Sequence, residues 1–196
     1  MLERFAEYDP DSRARAHGDK TPHNWKDMPT LFSTFPEAIL IFINRDPRDA
    51  AVSLFGHAKR RQLYKMDPEG PIDRDKLIRA ACGNWIGVNS SLATLQKERP
   101  ERLVLVRYED LLADTVTEYG RICAALGLST DHDVLQAAVD ACDFRKVSGR
   151  KPGERDLTSF FTSGTSGNWQ TQLSPSEAGV VEDLCGHMIP AAGYEI

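Results

Sequence analysis

Several features that would narrow a function are scarce or missing in this 196-residue chain. There are four cysteines, Cys82, Cys123, Cys142 and Cys185, and no two form a C-x-x-C pair, which leaves a zinc ribbon or a thioredoxin-like motif unsupported. Cys123 and Cys142 sit among apolar residues and read as buried thiols. Cys185-Gly186-His187 offers two metal-ligating side chains, fewer than a ligand set needs, so no metal is expected. Long apolar runs are also missing: Ala38–Ile43 is far too short to span a bilayer. The charged opening Met1–Glu7 lacks the apolar stretch of a signal peptide, which makes the cytoplasm the expected compartment. The net charge is −5, so a nucleic-acid partner is not expected, although a local basic patch can still hold an anionic ligand. Finally, no glycine-rich loop with Lys and Ser/Thr follows an apolar strand near the N-terminus, so a Walker-type phosphate loop is absent.

What is present describes an ordinary globular chain, 41% hydrophobic and 27% charged, long enough for one domain over residues 1–196. Residues 1–16 read as a helix end and a polar loop, and Lys26–Phe35 as a short helix interrupted by Pro36. Ala38–Asn44 is a continuous apolar run whose length and isoleucine content predict a strand buried on both faces. Asp46 is a suitable N-cap and Pro47 a suitable first residue for a helix running through Ala51, Phe55 and Ala58. Leu77, Ile78, Ala81, Trp85, Val88, Leu92 and Leu95 give Asp75–Glu98 helical spacing. Leu103–Tyr108 reads as a second strand, Thr115–Leu126 as a helix stopped at Gly127, and Asp133–Cys142 as another helix. Residues 147–168 read as a long loop. Ser174–Met188 is a closing helix, with Pro175 in its first turn and Glu177 and Glu182 on its outer side. Strand, helix, helix, strand, helix is the grammar of an α/β protein with a parallel sheet flanked by helices. In such sheets ligands bind beyond the C-terminal strand ends, where Arg45 and Tyr108 fall.

The first of those ends has the makings of a phosphate site. The strand delivers Arg45 to the sheet edge, and the following helix turns its free N–H groups and positive dipole end to the same crevice. Ser53 lies eight residues on, about two turns into that helix. An arginine fork, a hydroxyl and a helix start together suit a phosphate. At the second strand end, Tyr108 presents a flat face and a hydroxyl.

The run Ile39–Ser53, containing Asn-Arg-Asp-Pro-Arg-Asp, together with Tyr108-Glu109-Asp110, resembles the sulfotransferases that use 3′-phosphoadenosine 5′-phosphosulfate (PAPS) as donor. The resemblance implies a P-loop-NTPase-like α/β fold and transfer of a sulfuryl group to an acceptor hydroxyl or amine. It implies that Arg45 and Ser53 grip the donor's 3′-phosphate and that Tyr108 lies near its adenine. Upstream, His17–His23 is similar to two versions of one family feature. His23 stands 22 residues before Arg45, the separation of a histidine base, though Pro22 interrupts the Lys-Thr-His form. Asp19 stands where a second branch has an acidic residue. Both remain open as the base, and the reference pKa of imidazole favours His23. Lys20 is implied beside the transferring group, where positive charge offsets developing negative charge.

Gly164, Gly167 and Trp169 match the family's nucleotide-covering segment, Arg-Lys-Gly-x-x-Gly-x-Trp. The basic pair before its first glycine is replaced by Thr162 and Ser163, and Arg145, Lys146, Arg150, Lys151 and Arg155 are the nearby cations that could compensate. The family's opening strand and 5′-phosphosulfate loop have no counterpart here, so the expected sheet lacks its first strand. Neighbouring apolar surface would then be exposed, leaving marginal stability, a homodimer or completion by another chain as alternatives. Two rival readings stand beside sulfuryl transfer: a non-catalytic 3′-phosphonucleotide-binding remnant, and another P-loop transferase such as a nucleotide kinase.

Overall fold

The structure, a computed structural model, describes residues 16–21, 24–68, 70–156, 158–159 and 163–196. After a 3₁₀ turn, Asn24–Asp27, come α1 (Met28–Thr34), β1 (Leu40–Asn44), α2 (Pro47–Leu63), α3 (Arg74–Glu98) and β2 (Leu103–Arg107). Then follow α4 (Tyr108–Ala113), α5 (Thr115–Ala125), α6 (His132–Ala141), α7 (Phe144–Ser148), α8 (Trp169–Gln172) and α9 (Pro175–Cys185). β1 and β2 are parallel and in register from Leu40 opposite Leu103 to Asn44 opposite Arg107. The connection between them carries α2 and α3, as a parallel pair requires. The α/β class with a parallel sheet is therefore as expected, within a helix-rich chain.

Local chemistry explains the boundaries. The Asp46 carboxylate accepts from Arg48 N at 2.8 Å and Pro47 takes the first helical position, so α2 starts abruptly at the end of β1. Asp73 caps α3 through Lys76 N. Ser174 and Glu177 form a reciprocal capping box at α9. On α3 the stripe Ile78, Cys82, Trp85, Val88, Leu92 and Leu95 is buried. Its first half packs with Ala51, Val52 and Phe55 of α2 and with Val181 and Cys185 of α9. Its far end joins Met28 and Phe32 of α1 in a smaller cluster. On the outer side of β2, Arg121 of α5 donates to the Leu105 carbonyl at 2.6 Å, occupying an acceptor that an edge strand would leave open.

Five expectations need correction. β1 is not buried on both faces: Ile41 is 38% and Ile43 50% exposed, although Val104 and Val106, their β2 neighbours on the same face, are buried, so the cover on that face reaches β2 but not β1. Cys142 is exposed, at the residue following α6, whereas Cys123 is buried on the inner side of α5. Glu177 and Glu182 do not simply face solvent. They pair with Arg74 and Arg48, tying α9 to α3 and α2. Tyr108 is the first residue of α4 rather than the last of β2, and the five-residue α7 occupies the start of the stretch read as loop. No helix among the described residues is long and apolar enough to cross a membrane.

Candidate functional site

The C-terminal ends of the two strands are held together by side chains. Asn44 donates from Nδ2 to Asn89 Oδ1 of α3 at 2.8 Å and accepts from Arg45 N at 3.0 Å. The Trp85 indole donates to the Arg45 carbonyl at 2.9 Å. Glu109, on α4, accepts from Asp46 N at 3.2 Å, linking the end of β2 to that of β1. The backbone at Arg45 is thus fixed from three sides before its side chain enters the crevice.

The Arg45 guanidinium lies over the Tyr108 ring, 4.7 Å from its centroid. That distance permits cation–π attraction. One of its terminal nitrogens donates to the Thr165 carbonyl at 3.0 Å and stands 3.4 Å from the Asp49 carboxylate. Its Nε is buried without a hydrogen-bond partner among the described residues. Burial pushes the Tyr108 hydroxyl above the usual phenol range, against the opposing pull of Arg45, so the ring stays neutral at physiological pH.

Asp49 is the hinge of the site. It is buried on the first turn of α2, and its two oxygens accept from Gly167 N at 2.6 Å and Trp169 N at 2.9 Å. A carboxylate buried here is offset by two charge-assisted bonds and one guanidinium. The result is a loop, residues 163–168, anchored across the start of α2. Asn168 Nδ2 donates to the carbonyl and hydroxyl of Thr165, which knits the loop internally. Gly164 and Gly167 both have positive φ, +65° and +75°, conformations that glycine adopts without steric cost.

Arg48 points the other way. It is buried, meets Asp46 at 2.7 Å and Glu182 at 3.2 Å, and donates to the Glu195 carbonyl at 2.6 Å. Burial works against its charge, but Asp46 and Glu182 more than offset this and hold its pKa above the ordinary value. The Trp169 ring stacks with this guanidinium, whose carbon lies 4.0 Å from the ring centroid, and also packs against the main core.

Between α2 and the anchored loop is a cleft of about 30 Å³ lined by Arg45, Asp49, Val52, Ser53, Arg155, Ser163 and Asn168. A larger, mainly apolar cavity of about 400 Å³ lies along β1, α2 and α3 and also reaches Arg45. Of the residues singled out in the sequence, Arg45, Ser53, Tyr108, Gly164, Gly167 and Trp169 are all drawn to the strand ends and the loop that crosses them. Asp19 and Lys20 are exposed in the stretch 16–21 and neither lines the cleft. His23 and Thr162 lie outside the described residues. Asp49, Arg48 and Asn89 were not singled out individually. Their partners are up to about 150 residues distant, and no local pattern encodes such contacts. Among the described residues no group of three or more His, Cys, Asp or Glu side chains could hold a metal; Cys185 is buried while His187 is exposed.

Comparison with known proteins adds an independent line. A family model described as the sulfotransferase family matches residues 1–132. Cytosolic sulfotransferase 17 of Arabidopsis thaliana is 23% identical over 84% of this chain and 57% of the relative. Cytosolic sulfotransferase 12 of the same plant is 28% identical over 80% of this chain and 51% of the relative. The chain therefore spans about half the length of the curated relatives it matches. Among solved structures, the mouse sulfotransferase SULT7A1 complexed with PAP superposes with a TM-score of 0.65 at 17% identity, covering 84% of this chain and 63% of the mouse protein. That likeness establishes the shared fold.

Proposed function

The chain belongs to the sulfotransferase family, and on that premise we propose that it binds PAPS and serves sulfuryl transfer to an acceptor hydroxyl or amine. One observation carries the proposal: Arg45, Ser53, Tyr108 and the 163–169 loop converge on one crevice beyond parallel strand ends. That is where open α/β sheets place their ligands. The residues suit the nucleotide end of the donor. Arg45 has a buried Nε with no hydrogen-bond partner among the described residues, and Ser53 is exposed on the same cleft, as a phosphate requires. The Tyr108 ring provides a flat, neutral surface of the kind an adenine packs against.

PAPS supplies the sulfuryl group. In the proposed assignment Arg45 and Ser53 anchor the 3′-phosphate, Tyr108 borders the base, and the segment holding Gly164, Gly167 and Trp169 closes over the nucleotide. His23 or Asp19 takes the proton from the acceptor, and Lys20 lies near the transferring group, where its charge offsets the charge that develops. The chain's contribution is positioning and electrostatics, the logic that also governs phosphoryl transfer. The proposed compartment is the cytoplasm, in keeping with the names of the two plant relatives.

The test is to incubate the protein with PAPS carrying a labelled sulfuryl group and, in turn, a phenol, an aliphatic alcohol and an amine. Labelled acceptor is expected with at least one class. Arg45→Ala should lower the rate by about tenfold to a hundredfold at limiting donor, the worth of one charge-assisted contact. Donor binding with no transfer to any class would reduce the function to nucleotide binding.

A further inference from the structure

The cleft beside Arg45 raises a problem of charge. Its lining contains one buried carboxylate, Asp49, 3.4 Å from the Arg45 guanidinium. Those two charges cancel, so Arg45 alone leaves the cleft neutral toward a phosphate dianion. The basic pair that would precede Gly164 in the family pattern is replaced by Thr162 and Ser163. Of the five nearby cations that could compensate, the structure separates one from the rest. Lys146 donates to the Asp140 carbonyl, and Arg150 donates to the Glu154 carbonyl and lies near Asp156. Neither these two nor Arg145 or Lys151 lines the cleft, whereas Arg155 does. Arg155 donates from Nη1 to the Gln172 side chain at the end of α8, which steadies its guanidinium at the rim and commits one of its five N–H groups.

We propose that Arg155 supplies the net positive charge of this cleft and is the second cation that selects a 3′-phosphorylated nucleotide, in place of the absent basic pair. The hydroxyls of Ser53 and Ser163 then complete a donor set with no carboxylate left uncompensated. The inference rests on the nucleotide-binding reading above and names a residue that the family pattern does not.

The experiment is a calorimetric titration of the wild-type chain, Arg155→Gln and Arg155→Lys with adenosine 3′,5′-bisphosphate and, separately, with adenosine 5′-monophosphate, which lacks the 3′-phosphate. Arg155 is exposed, so Arg155→Gln should stay folded, and an unchanged thermal midpoint checks this. The expected result is a loss of about tenfold to a hundredfold in bisphosphate affinity for Arg155→Gln, with partial recovery in Arg155→Lys and no change toward the monophosphate. Wild-type binding of the bisphosphate that is equally strong in Arg155→Gln would overturn the role of Arg155 while leaving the nucleotide site intact. A wild type that binds neither nucleotide would overturn both.

Discussion

At the scale of single residues the loop glycines make a sharp comparison. Gly164 and Gly167 share the left-handed backbone region, but a Cβ on Gly164 would lie 2.7 Å from the Phe144 ring, while one on Gly167 would meet open space. Backbone strain alone costs about 1 kcal/mol, and overpacking adds about 1–3 kcal/mol more. Gly167→Ala should therefore lower stability by about 1 kcal/mol and Gly164→Ala by about 3 kcal/mol, read from urea unfolding midpoints. Equal effects would show that the Phe144 contact does not constrain the loop. Both glycines were visible in the sequence as part of a spaced pattern. The reason each is needed was not, because Phe144 reaches Gly164 from 20 positions away. Asp49 is the clearer case. Its place four residues after Arg45 made an ion pair foreseeable. Its bonds to Gly167 and Trp169 depend on the whole fold.

At the scale of elements, α9 is tied to the site by two arginine–glutamate contacts of different kinds. Arg48 is buried among Asp46, Glu182 and the Glu195 carbonyl. Removing it leaves Asp46 buried without a counter-charge. Arg48→Ala should cost about 3–5 kcal/mol, measured by denaturant unfolding. Glu177, by contrast, is partly exposed on the rim of α3 and α9. The Arg74 guanidinium chiefly holds its carboxyl down at about 2, aided by Ser174 and opposed by burial. A carboxyl lowered in the folded state adds stability above its unfolded pKa. That stability is lost as pH falls from the ordinary Glu range, about 4.3, toward 2. Solvent screening keeps the pair to about 1 kcal/mol. Stability compared at pH 6 and pH 2.5 should fall less in Glu177→Gln than in wild type by about that amount. An identical acid dependence in the two proteins would contradict the pairing.

Helices were the most legible elements, because a buried stripe at helical spacing leaves a periodic trace. Of the residues whose spacing predicts the α3 stripe, Ile78, Trp85, Val88, Leu92 and Leu95 are buried and Leu77 and Ala81 partly so, and Cys82 joins them. β1 was legible as a strand but not in its surroundings. A run of isoleucine and phenylalanine looks the same however far its faces are covered, and here Ile41 and Ile43 are exposed while Val104 and Val106 beside them are buried.

At the scale of the whole molecule, the crevice is assembled from segments far apart in sequence. Arg45 and Ser53 come from the first strand–helix unit, Tyr108 from the second, and Arg155 and the 163–169 loop from the last quarter of the chain. The two strand–helix junctions could be located in the sequence because each joins an apolar run to a charged turn. The closing loop could be recognised only through its glycine and tryptophan spacing. Its attachment to Asp49 is a property of the folded chain alone. The same anchoring predicts a long-range effect. Asp49→Ala removes the acceptor for two loop N–H groups and one side of the Arg45 pair, so it should release residues 163–168. Amide hydrogen exchange at Gly167 and Trp169 should then rise sharply while the α3 core stays protected. Unchanged protection at those two amides would contradict Asp49 as the anchor.

The most direct measurement is calorimetric binding of adenosine 3′,5′-bisphosphate to the wild-type chain and to Arg45→Ala. Saturable binding by the wild type, weakened by about tenfold to a hundredfold in a still-folded Arg45→Ala protein, is the result predicted for a 3′-phosphonucleotide site at the end of β1. A folded wild type that fails to bind, or an Arg45→Ala protein that binds equally well, would contradict it.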